Sequence, residues 1–321
     1  MRDLTVSCLV GGAIGDALGM PIERVAASVI ESNFARPIRS FQPPVEQAPC
    51  FRYGLSAGMY TDDTQAVRAT AIAIAEHKCA SPNIIANALS GWLFEESLGQ
   101  KPRYPGQTTW EAINIYRQGH NPLTCGIESD SCGAAIRISP VALWLCREKW
   151  DLFEKGIEAA ARVTHTGDGA VAGAMIVARL VRSAGERSTP ALGELSDGCK
   201  SRRMARAITS VKIALHDGRS RNDMAEELGG GTKAYEVVPL ALFHLYANKF
   251  GFEQSLYSAI DTRHPSGLDM DSIAGIVGAV AGAFNPQAVL ESTLLTELHD
   301  RDTIIREAVE LYKALNGLTS K

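Results

Sequence analysis

Several common patterns are missing from the 321-residue chain, and each absence narrows its class. Period-two runs of β-branched residues are absent, which leaves no strand candidate. No fixed-length repeat runs through it, so a solenoid is not expected. Low-complexity tracts are missing as well; Gly229-Gly230-Gly231 is too short for a linker and marks a turn. The seven cysteines are odd in number, scattered, and include no C-x-x-C pair. That argues against a disulfide framework or a zinc site and for reduced thiols. Positive charge is not in excess: 32 Lys and Arg against 36 Asp and Glu give a net charge of −4, which argues against non-specific nucleic-acid binding. Early acids at Asp3 and Asp16, with no small-residue cleavage site after a long apolar run, fit no secretory leader. The apolar run after Asp271 is too short and too Gly-rich to span a bilayer. The expectation is a cytoplasmic protein that engages no membrane.

What is present is helical periodicity in an ordinary soluble composition, 45% apolar and 21% charged. Apolar spacing, caps and stop signals predict helices over 4–18, 64–78, 82–98, 108–118, 133–147, 150–163, 169–184, 201–216, 233–249, 253–260, 271–283 and 301–316. Residues 35–58 are rich in Pro, Gly and aromatics without a period, and read as a long irregular loop of the kind that serves as a lid or binding segment. Nothing divides the chain. The expected fold class is all-α, one compact multi-helix domain over 1–321.

Two acidic clusters stand out. Tyr60-Thr61-Asp62-Asp63-Thr64-Gln65 opens an Ala-rich helix, where Thr and Asp are good caps. One cap needs only one such side chain, and adjacent carboxylates repel unless a cation lies between them. Far down the chain, Asp269-Met270-Asp271-Ser272 opens another helix of small residues. Its glycines at 275, 278 and 282 make one face smooth enough for a second helix to approach closely. Such a helix is costly in propensity and is expected to be buried, with two acids at its start. If the two starts meet, Thr61, Asp62, Asp63, Asp269, Asp271 and Ser272 form an all-oxygen donor set suited to Mg²⁺ or Mn²⁺, and to two ions rather than one.

Other stretches carry balanced readings. Ser131-Cys132-Gly133 runs into a helix and is either a capped start or a phosphate cradle. Arg137, inside that helix, is expected in a structural ion pair. His165, before Gly167 and Asp168, is either a satisfied buried His or a ligand contact. Tyr235 is a core aromatic or a base-stacking ring. Glu23 follows Gly19 and Pro21 on a loop, where an acid is commonly solvated. Pro102-Arg103-Tyr104-Pro105-Gly106-Gln107 is stiff with prolines and open at Gly106. Asp223, Glu226 and Glu227 read as solvated face charges.

Taken together, these stretches resemble the ADP-ribosylglycohydrolase family. The matching pieces are Gly15-Asp16-Ala17-Leu18-Gly19 with Glu23, Thr61-Asp62-Asp63-Thr64, Ser131 to Arg137, Thr164-His165-Thr166, and Asp269 to Gly275, in the family's order. The resemblance implies an all-α domain with two divalent cations, Mg²⁺ ahead of Mn²⁺, held by Thr61, Asp62, Asp63, Asp269, Asp271 and Ser272. It implies that Glu23 points from a mobile loop toward the ribose, that Ser131, Cys132 and Gly133 cradle the diphosphate, and that His165 contacts the same ligand; Gly106 and Tyr235 complete the expected substrate contacts. Ser272 stands where the family usually has Thr and keeps the oxygen ligand. Leu268 replaces a Gly beside the site and is expected to reshape the pocket. Tyr104 stands where some arginine-directed members carry an acid, which puts arginine specificity in question.

The implied activity is hydrolysis of the glycosidic bond between ADP-ribose and a protein side chain or small conjugate, by a monomer. Nucleic acid enters at most as a modified substrate. Glu23 or one of Asp62, Asp63 and Asp269 would handle the proton. The alternatives are a silent ADP-ribose-binding protein and a dimetal phosphohydrolase.

Overall fold

The computed structural model describes residues 1–34 and 37–317. Its organising contact is between two helices with small-residue faces, Arg2–Gly19 and Met270–Phe284. They run antiparallel with their backbones touching: a Cβ added at Gly15 would lie 1.9 Å from the Ala274 carbonyl oxygen, and one at Gly278 would lie 2.0 Å from that of Gly11. No side chain fits between them, so the glycines that weaken each helix alone allow the pair to close. The smooth face expected on the Met270 helix thus finds its partner at the other end of the sequence. Because the pair is antiparallel, the C-terminal end of the first helix, at Gly19, meets Met270 at the start of the second.

Stretch Arg2–Ile22 is long and apolar enough to cross a membrane by length and composition. Yet 94% of that window is buried inside the protein, as in a core helix. With this pair the described residues form eighteen α-helices and no strand; the extended contacts are three isolated bridges. Buried apolar side chains from Leu4 to Leu315 make one continuous core. All seven cysteines are free thiols.

Most predicted helices are found within a few residues of their expected ends. The one expected over 133–147 is broken into Gly133–Ile136 and Ser139–Leu145. Pro140 has no N–H for the Ile136 carbonyl and would collide with it in a continuous helix. The helix from Pro82 stops at Glu95, with Glu96 in the left-handed region at φ 50°. Short helices at Ala27–Asn33, Leu192–Asp197, Arg221–Leu228, Pro286–Glu291 and Thr293–Glu297 were not predicted. Asp223 does more than sit on a solvated face. It forms a capping box with Ser220, each backbone N–H donating to the other's side chain at 3.2 Å. Residues 37–58 are largely irregular, as expected, apart from a 3₁₀ turn at Pro49–Tyr53; positions 35 and 36 of that loop lie outside the described residues.

Candidate active site

At the start of the Asp62–His77 helix, capping is done by residues other than the paired acids. Thr61 Oγ1 accepts from the Asp63 N–H at 3.2 Å. Asp16, buried in the N-terminal helix, accepts from the N–H groups of Thr61 and Thr64, both at 3.0 Å, and from the Thr64 hydroxyl. Two of the helix's orphan donors are thereby satisfied from outside it. Asp62 and Asp63 are left free to face a cavity of about 480 Å³. Asp62 accepts from the Gly106 N–H at 3.1 Å, and Asp63 from the Ser272 hydroxyl at 2.9 Å.

The Ser272 bond joins the two acidic clusters. Asp269 and Asp271 line the same cavity as Asp62 and Asp63, as the close helix pair requires. Glu23 joins them from a position the sequence misjudged: it is 7% exposed, neither solvated nor on a free loop. A parallel bridge to Leu268 pins its segment, and the Leu268 carbonyl accepts from the Arg24 N–H at 2.6 Å. Leu268 itself is buried and absent from the cavity wall, so its side chain does not shape the pocket as expected.

Carboxylate oxygens of Glu23, Asp269 and Asp271 lie within 4.8 Å of one another. Burial, reinforced by Asp269, pushes Glu23 up to about 8. Asp16 rises to about 6, chiefly through burial, against the pull of its Thr64 and Thr61 donors. Asp62, Asp63 and Asp271 are held well above the usual carboxylate range by burial first, and then by a neighbouring carboxylate, Glu23 for Asp62 and Asp271 and Asp62 for Asp63. Asp269 is raised by burial, while the Cys132 thiol, donating at 3.2 Å, draws it back. One Asp271 oxygen is buried and accepts no hydrogen bond. Buried acids with an orphaned oxygen and an all-oxygen donor set fit hard divalent cations.

Tyr104 and Gly106 reach the site on a loop held by Gln65. That fully buried amide accepts from the Arg103 N–H at 2.9 Å and from Trp92 Nε1 at 3.2 Å, and donates to the Lys101 carbonyl at 3.0 Å. Tyr104 adopts φ 42°, a conformation that non-glycine residues rarely hold. Its ring lies 4.8 Å from that of Tyr53, and its hydroxyl donates to Glu23 Oε2 at 3.2 Å.

The same cavity is also lined by hydroxyls. Ser131, Cys132, Gly133 and His165 line it, with Thr108, Ser129, Thr232 and Lys233 beside them. Lys233 is brought there by an antiparallel bridge to Ser131 and by Cys132 N–H donating to the Thr232 carbonyl at 2.9 Å. Lys233 and Arg24 are exposed, so a cationic rim borders an acidic floor. The sequence offered no signal for Arg24 or Lys233 beyond their charge.

His165 is buried and neutral, pushed down to about 3 by burial and by the Arg137 charge. Arg137 is not in the expected ion pair. Its guanidinium donates to the Ala160 and Ala161 carbonyls and to the Thr164 hydroxyl. Those carbonyls end the Trp150–Arg162 helix, the negative pole where a cation is favoured. Tyr235 does not line the cavity; the Arg203 guanidinium lies 5.5 Å from its ring. Thr61 is buried behind the wall at its capping position.

The model of the ADP-ribosylglycohydrolase family matches residues 1–320. An uncharacterized protein of Archaeoglobus fulgidus is 32% identical over 98% of this chain and 97% of its own length. The uncharacterized protein YegU of Escherichia coli (strain K12) is 26% identical, with 91% of each chain covered. A solved structure described as an ADP-ribosylglycohydrolase-related protein complex superposes with a TM-score of 0.74 at 22% identity over 98% of each chain, a likeness of fold. Matched from end to end, with its dispersed motifs gathered around one cavity, the chain belongs to the ADP-ribosylglycohydrolase family.

Proposed function

We propose that the protein hydrolyses the glycosidic bond joining ADP-ribose to an acceptor, a protein side chain or a small conjugate, with two divalent cations at its acidic floor. The observation that carries this reading is the convergence of Glu23 and four aspartates with a set of hydroxyls in one cavity. Asp62, Asp63, Asp269, Asp271 and Ser272, all of which line the cavity, would hold the cations, Mg²⁺ ahead of Mn²⁺. Such ions, when bound, neutralise the acids, orient sugar hydroxyls and lower the pKa of water.

The chain's own groups account for binding and proton handling. Ser129, Ser131 and Thr108 offer hydroxyl donors for a diphosphate, while Arg24 and Lys233 at the rim supply charge. Glu23, which burial and the neighbouring Asp269 hold up at about 8 before any cation is bound, is the acid of the site placed to hold a proton. Tyr104 donates to Oε2, so that proton belongs on Oε1. As the anomeric bond breaks through an oxocarbenium-like state, Glu23 lends the proton to the departing atom; water then adds to the sugar carbon and its proton restores the acid.

Asp62→Asn, assayed for release of free ADP-ribose, is expected to lose at least about a hundredfold in rate. EDTA is expected to silence the parent. A parent-like rate in the variant would count against the assignment, and AMP or inorganic phosphate as product would point to phosphoryl transfer instead. Arginine-, serine- and O-acetyl-linked ADP-ribose, run side by side, would identify the acceptor.

A further inference from the structure

Behind the hydroxyls lies a chain of hydrogen bonds whose direction follows from an arginine at one end and a fully buried threonine next to it. An arginine side chain can only donate. Arg137, 1% exposed, donates to Thr164 Oγ1, so that oxygen accepts there. Thr164 is fully buried, and among the described residues its proton has no acceptor other than His165 Nδ1, 2.7 Å away. With Nδ1 accepting, the neutral ring carries its proton on Nε2, which lies 2.9 Å from Ser131 Oγ. The ring has no room to turn aside: Gly133 packs against it, and a Cβ there would meet His165 Cε1 at 3.2 Å.

Ser131 belongs to a closed ring of hydroxyls. It donates to Thr108 at 3.3 Å, Thr108 to Ser129 at 3.1 Å, and Ser129 back to Ser131 at 3.2 Å. Ser131 thus receives two donors, from Ser129 and from His165. Hydroxyls whose lone pairs are already occupied have only their protons left to offer. An anion entering the cavity can break the ring and collect those protons, whereas the opposite tautomer of His165 would compete for one of them.

We propose that Arg137 is a positioning residue which, acting through Thr164, holds His165 as the Nε2–H tautomer and so keeps the Ser131 hydroxyl ring available as a donor to an anionic ligand. This rests on the reading of those hydroxyls as the diphosphate side.

The tautomer is read without ligand or metal, from the nitrogen shifts and couplings of ¹⁵N-histidine-labelled protein. His165→Gln identifies the relevant signals among the seven histidines. At neutral pH the parent is expected to show an unprotonated Nδ1 and a protonated Nε2. Thr164→Val removes the donor to Nδ1 while keeping the shape, and spares Arg137, whose loss could unfold the protein. This variant is expected to populate the Nδ1–H form and to bind ADP-ribose about tenfold more weakly by calorimetry. Thr164→Ser should restore both. A parent in the Nδ1–H or doubly protonated form overturns the proposal. So does T164V with an unchanged tautomer, or with a changed tautomer and unchanged affinity. ADP-ribose that fails to bind the parent at all would remove the proposed function and the role given to Ser131, while the tautomer would still stand on the spectrum.

Discussion

The helix Asp62–His77 carries two buried polar clusters, and they are built on opposite terms. Around Arg68 every charge has an answer. Its guanidinium grips Glu307 through two bonds of 2.8 and 2.6 Å and donates to the Tyr60 hydroxyl, which in turn donates to Asp300 at 2.8 Å. Less than two helical turns away, Asp62 and Asp63 face Asp269, Asp271 and Glu23 with hydroxyls, a thiol and backbone N–H groups as partners. Arg24, the cation acting on Glu23 and Asp269, is exposed at the rim. The first cluster is complete within the chain and ties the Asp62 helix to the C-terminal helix. The second gathers five carboxylates with, among the described residues, no buried basic side chain bonded to any of them. A buried polar cluster left unbalanced marks where a ligand belongs; a balanced one marks where the fold is held.

That contrast is broken most forcefully at Asp269. Asp269→Asn is expected to cost about a thousandfold in turnover, since one charge of the floor is lost. Because the lost charge is uncompensated without metal, the stripped variant should be no less stable than the parent at pH 8, as followed by thermal melting. The converse change is Arg68→Met. It orphans Glu307 and the Tyr60–Asp300 pair and should destabilise the protein by about 3 kcal/mol in urea titration. Turnover per folded molecule should stay within about twofold of the parent. An Arg68 variant as stable as the parent would mean that the balanced cluster does not hold the fold.

How much of this was readable in advance follows from the range of each interaction. The long helices, both acidic clusters and the smooth face of the Met270 helix are written in neighbouring residues, as period, cap and composition. Short helices such as Arg221–Leu228 are too brief for periodicity and depend on caps and on packing. The role of Asp16 was hidden because its partners, Thr61 and Thr64, lie more than forty positions away. Glu23 looked solvated because its burial comes from a bridge to Leu268, across most of the chain. Arg137 was expected to meet an acid because sequence shows charges, whereas the negative pole it meets is the end of a helix. Tyr235 was placed by type alone, and type does not say which way a ring faces.

A smaller effect should appear in the pH dependence of stability without metal. Glu23 has its folded pKa raised from 4.5 to about 8, so the folded state holds a proton that the unfolded state has released. Stability from this group is full below 4.5 and falls as pH rises toward 8. The buried His165 and His244, both lowered from 6.5 to about 3, act in the opposite sense, losing stability as pH falls below 6.5. Above 6.5 the two histidines lose their remaining influence within about one pH unit and offset only part of what the acids remove. EDTA-treated protein should therefore lose stability between pH 6.5 and 8, on the order of 2 kcal/mol from Glu23 alone. Mg²⁺ should restore more at pH 8 than at pH 6.5, as measured by melting temperature. A flat profile in the stripped protein would mean that the acidic floor is already balanced.

The smallest expected effect is at Tyr104, whose hydroxyl is a donor from the chain itself to the unbalanced cluster. Tyr104→Phe keeps the ring that packs against Tyr53 and leaves the backbone its φ of 42°. Only one hydrogen bond to Glu23 is removed. That bond favours the ionised carboxylate and draws Glu23 downward against burial. Without it the Glu23 pKa rises, and the alkaline limb of the rate profile should move to higher pH by less than about one unit. Turnover at neutral pH should change by less than about threefold, because Glu23 is protonated there in either case. A limb that stays in place would show that Tyr104 does not reach Glu23 in the working enzyme; a limb that moves to lower pH would show that the hydroxyl accepts a proton from Glu23 instead of donating one.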